Sequence, residues 1–170
     1  MSDPSARLTR AFQPSRPLLG YTLAATLPLM LMAAALLSRN PMIWYVGILG
    51  TTVNLIAFGY LLYEITMELA GFPEYAMPVW IVLYLVIYLI SGFTFVYFTM
   101  HLTSPGYYFS GFAKSSDIAF LDAFYVSASS YIGMNSLDLK VQTSRLIGVC
   151  NGILSMFLNV VIITKFVNTF

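Results

Sequence analysis

Asn151, Ser155 and Asn159 recur every four residues in an otherwise apolar run from Leu146 to Val167, with Gly152 beside them. Residues four apart share one helix face, so the run carries a polar stripe. Amides and a hydroxyl on a helix that crosses hydrocarbon have two outlets: a water-filled cavity, or hydrogen bonds to neighbouring helices. These residues alone leave both open. Upstream, Phe120 to Ser130 is an amphipathic run too short to cross a membrane, followed by a turn containing Gly133 and Asn135. A half-span, a polar turn and a full span together describe a re-entrant loop. Irregular backbone at membrane depth is tolerated only where protein or a water-filled cavity covers it. The chemistry on offer is passage of something hydrated.

Bond-making chemistry finds no comparable set of residues. His101 is the only histidine and has no ligand or nucleophile partner beside it, which suits an interface position at a span end. Glu64, Glu68 and Glu74 flank a break at Gly71 and Pro73 and have no histidine at metal-ligand spacing, so solvated loop charges are expected. There is no glycine-rich phosphate loop and no serine–histidine arrangement. The sequence predicts neither an enzyme nor a resident cofactor or metal.

The elements that must position the stripe and turn are set by composition. Of 170 residues 59% are hydrophobic and 9% charged, with mean hydropathy +0.80. A water-soluble domain carries about a quarter charged residues, so an integral membrane protein is expected. A net charge of +1 gives no reason to expect nucleic acid as a partner. Cys150, the single cysteine, reads as a buried thiol.

Residues 1–17 read as a polar, proline-broken cytoplasmic tail, and a retained first span is expected in place of a signal peptide. Residues 18–76 hold two spans, Leu18 to Leu37 with Pro28 inside it, and Met42 to about Tyr63. Asn54 on the second should face protein, not lipid. Residues 77–170 form the third unit: a span from Met77 to Met100, a loop over His101 to Ser116, the half-span with its turn, and the last span. Arg7, Arg10 and Arg16 before the first span favour a cytoplasmic N-terminus, and Lys165 agrees. Four crossings then put both termini in the cytoplasm of a plasma or bacterial inner membrane, with the half-span entering from outside. No internal repeat is visible.

The run DAFYVSASSYIGMNSLDL resembles the pore loop of the tetrameric potassium-channel superfamily. Asp122, Ala123, Tyr125 and Ser127 match the start of that family's pore helix. Asp138 and Leu139 match the segment after its filter, and Arg145 the arginine that opens its inner helix. The likeness covers about Met77 to Phe166 and implies an all-α membrane fold. Four transmembrane helices would carry a re-entrant pore helix and loop between the third and fourth, with the first two spans as an addition. In that family four copies of the loop hold potassium with rings of backbone carbonyls.

The filter departs from the family's pattern. Counted without gaps, Ile132 to Leu137 occupy the place of the threonine-threonine-valine-glycine-tyrosine-glycine motif. A shift by two puts Ser130, Tyr131, Ile132, Gly133, Met134 and Asn135 there. The shifted register is preferred, because Gly133 and Asn135 then take the glycine positions, and Asn tolerates positive φ. Met134 cannot supply the bracing hydrogen bond of the family's tyrosine. The resemblance therefore implies a homotetrameric cation channel of weak selectivity, holding K+ or Na+ in its pore. The competing expectation is a non-conducting assembly or auxiliary subunit that keeps the pore fold within a larger complex. Asp122 would pair structurally, Asp138 would stand at the pore mouth and Arg145 would anchor the inner helix. Asn151, Gly152, Ser155 and Asn159 would line an inner cavity.

Overall fold

The computed structural model describes residues 30, 43–70, 79–112, 116–134 and 139–167. The expected tail and first span, apart from Met30, lie outside the described residues, as do Glu74, Asn135 and Asp138. The rest is an all-α bundle of four helices: α1 (Ile43–Ala70), α2 (Val79–Thr103), α3 (Ser116–Ile132) and α4 (Gln142–Val167). Two of them contain stretches long and apolar enough to cross a membrane, Val82–Thr103 and Gln142–Thr164. At ~1.5 Å per residue, the 17 residues of α3 reach ~25 Å, short of a ~30 Å hydrocarbon core.

The ends of the helices follow local chemistry. α1 continues past Tyr63 through Glu64 and Glu68, where the sequence predicts a loop, and is described as far as Ala70. Glutamate is a good helix former, whereas glycine and proline are not. α4 begins four residues earlier than its apolar run. The Ser144 hydroxyl donates to the Val141 carbonyl (2.8 Å) and accepts from the Val141 N–H (3.3 Å), which closes the first turn.

α2 is the central helix. Both α1 and α3 pack chiefly on it, while α4 packs on α3 and more lightly on α2. One continuous core joins Phe58, Leu61 and Leu62 of α1 to Leu85, Phe93 and Tyr97 of α2, Val126 of α3 and Leu158 of α4. Asn54 and Ser127, both buried, find hydrogen-bond partners within this core. Asn54 accepts a hydrogen bond from the Tyr88 hydroxyl, and Ser127 donates to the Ile90 carbonyl at 2.8 Å. Large apolar side chains face outward, among them Leu49, Ile56, Ile87, Met156 and Ile163.

Between α2 and α3 the chain carries an aromatic cluster. Phe109 stacks on Phe112 at 4.7 Å and meets Tyr97 edge-on at 5.6 Å. Phe109 also forms an isolated antiparallel bridge with Leu139, and the Lys140 N–H donates to the Tyr108 carbonyl at 3.2 Å. This loop and the segment leading into α4 are thereby tied together.

Candidate functional site

The turn after α3 is built by two backbone bonds. The Gly133 N–H donates to Ser130 O at 3.2 Å, and the Met134 N–H donates to Ser129 O at 2.7 Å. With Gly133 at φ +83°, this is a Schellman C-cap, in which a left-handed residue ends the helix and satisfies its last carbonyls. Ser130, Tyr131 and Ile132 are therefore the final turn of α3, not an extended filter strand. That corrects the shifted register, which needed all three outside the helix. The ungapped register keeps α3 helical as far as Tyr131; residues 135–137, half of its filter segment, lie outside the described residues. Gly133 does hold positive φ, but as a helix cap. Met134 follows it and is 68% exposed.

The polar stripe of α4 divides between the two outlets open to it. Asn151 is buried, and its Nδ2 donates to the Tyr97 hydroxyl at 3.3 Å. Ser155, also buried, donates to Asn151 Oδ1 at 3.3 Å. The Ser130 side chain joins the Tyr97 hydroxyl from the end of α3. A buried hydrogen-bonded network thus links three helices, and Asn151 belongs to it and does not face open space. Asn159, half-buried, accepts from the Tyr131 hydroxyl at 2.8 Å.

A cavity of about 420 Å³ opens where these elements meet, bounded by Ser130, Tyr131 and Gly133 at the end of α3 and by Gly152, Ser155 and Asn159 on α4. Its remaining wall is apolar, from Ile132, Met156, Val160 and Ile163. Nothing lies within 4 Å of where a Cβ on Gly152 would stand, so that face of α4 is open in the single chain. Residues 130–133 and Gly152, Ser155 and Asn159 of α4, 19 or more positions apart in sequence, therefore share one space. Tyr97 and its hydrogen bonds were not anticipated. Only its aromatic type marked it, and its partner Asn151 lies 54 positions away.

The flanking charges are less gathered. Asp122 is half-buried in the first half of α3. Arg145 is exposed, and its Nε donates to the Leu139 carbonyl at 2.8 Å, pinning the entry to α4. Lys140 Nζ reaches the Gly106 carbonyl at 3.2 Å. His101, in the last turn of α2, is buried against Phe112, with ring centroids 5.1 Å apart. Among the described residues no group of three or more histidine, cysteine or acidic side chains could hold a metal ion. The chain matches no known family model, and no curated protein or solved structure is significantly similar to it.

Proposed function

We propose that this chain is one subunit of a homotetrameric channel for monovalent cations, weakly selective, in a plasma or bacterial inner membrane. One observation carries the reading: the C-terminal end of the short helix α3 and the polar face of α4 converge on a single cavity. A channel subunit needs that convergence, since a single copy offers one short helix and one polar face and cannot enclose an ion path. The outward-facing apolar side chains and the two span-length helices fit a lipid setting. In this reading α2 and α4 are the outer and inner helices, α3 is a re-entrant pore helix, and both termini are cytoplasmic. K+ or Na+ would be the permeating ion, not a resident cofactor, and no catalytic step is assigned.

A second reading is favoured by the last turn of α3. Ser130 to Ile132 are helical, and the Tyr131 hydroxyl on the cavity wall is bonded to Asn159 on the same wall. A non-conducting assembly or auxiliary subunit needs nothing more. The two readings separate on purified full-length protein in liposomes under opposed potassium and sodium gradients. Conduction with poor discrimination between the ions is the expected result. A strong potassium preference would refute the weak-selectivity claim, and absence of flux at any voltage or pH would transfer the chain to the second reading.

A further inference from the structure

The geometry points to Tyr97 as a positioning residue, whose hydroxyl, together with that of Tyr131, braces the last turn of α3 and fixes where the chain leaves that helix. The functional consequence rests on the channel reading; the brace itself does not.

Tyr97 is fully buried, its ring held by Phe93 (6.2 Å) and edge-on by Phe109 (5.6 Å), so the hydroxyl has one accessible position. At that position it accepts from Asn151 on α4 and meets Ser130 on α3. The next residue along, Tyr131, donates to Asn159. Two adjacent residues of one helical turn are thus tied by separate tyrosine hydroxyls to points on α4 eight residues apart, or ~12 Å along its axis. The middle of α3 is already held on α2 by packing and by the Ser127 bond to Ile90; the two tyrosine ties hold its last turn. Ser130 O is also an acceptor in the Schellman turn, so the brace and the cap share a residue. Beyond the cap, exposed Met134 offers no packing that could hold the chain. Hydrogen bonds in so apolar a setting are strong when made and costly when one partner is lost.

Tyr97→Phe and Tyr131→Phe each keep the ring and delete one tie, and Tyr63→Phe, on the exposed face of α1, is the control. The full chain in liposomes is read in two ways. Amide hydrogen exchange over residues 129–134 should quicken about two- to tenfold in each variant, as loss of one hydrogen bond implies, and stay unchanged in the control. The potassium-to-sodium permeability ratio should shift in both variants while the particle keeps its assembled mass, which a merely structural tyrosine would not do. Unchanged exchange in both variants overturns the brace, whether or not the protein conducts. Faster exchange with an unaltered permeability ratio in a conducting protein overturns the positioning role. Absence of flux in the unsubstituted protein overturns the channel reading, and exchange still decides the brace. Should Tyr97→Phe fail to assemble, Tyr131→Phe, at a less buried position, carries the same test.

Discussion

At the scale of single residues, Gly133 carries the sharpest consequence. Its φ of +83° lies in the left-handed region, where an L side chain costs ~1–2 kcal/mol. No atom lies within 4 Å of where its Cβ would stand, so the backbone accounts for the whole cost of a substitution. Gly133→Ala should therefore destabilise the end of α3 by about 1 kcal/mol, and Gly133→Asn by less, because asparagine tolerates this conformation. Thermal unfolding of the purified protein checks the order of the two; equal effects would mean that the cap does not set stability there. Gly152 is the counter-case. It sits inside α4 with the same open space around it. Alanine there would raise helix propensity by ~1 kcal/mol without a clash in the single chain. If Gly152→Ala instead weakens the assembled particle, a neighbouring subunit approaches that glycine closely.

At the scale of elements, the docking of α1 on α2 turns on one buried pair. Asn54 and Tyr88 are each 3% exposed and bonded to one another, and Tyr88 stacks on Phe58 at 5.3 Å. Tyr88→Phe should cost ~1–3 kcal/mol by leaving the Asn54 amide buried without this partner, whereas Asn54→Leu combined with Tyr88→Phe should recover most of that loss. A double-mutant cycle on thermal stability measures the coupling, and additive effects would deny it. The sequence announced these elements unevenly, for physical reasons. α2 and α4 were legible because long apolar runs bounded by polar residues have one economical fold in lipid. Glu64 and Glu68 looked like a boundary because a hydropathy reading stops at charge, although glutamate is a good helix former and α1 runs on to Ala70. Gly133 was ambiguous in kind: a filter glycine and a Schellman cap ask for the same φ. The stripe on α4 showed its period but not its partners. Whether Asn151 meets water or Tyr97 depends on tertiary register, which no local pattern encodes.

At the scale of the whole molecule, the open question is what covers α4. Met156 (70% exposed), Ile163 (60%) and Phe157 (45%) are all uncovered in one chain, yet they stand on different sides of the helix. Met156 and Ile163 border the cavity, and Phe157 lies roughly 120–130° around the helix from its centre. In a monomer surrounded by lipid, all three would meet hydrocarbon. In a tetramer with its axis beside the cavity, Met156 and Ile163 would meet water and Phe157 would meet lipid or a neighbouring subunit. Single cysteines at these three positions, placed in a Cys150→Ser background, turn that difference into a rate of modification by a small water-soluble thiol reagent. The tetrameric channel predicts modification at 156 and 163, protection at 157, and a particle mass of four chains. Protection at all three with a monomeric mass would remove both the pore and the assembly that the pore requires. Protection at all three within a tetramer would mean a dry axis, which is the arrangement expected of an assembly subunit and not of a conductor.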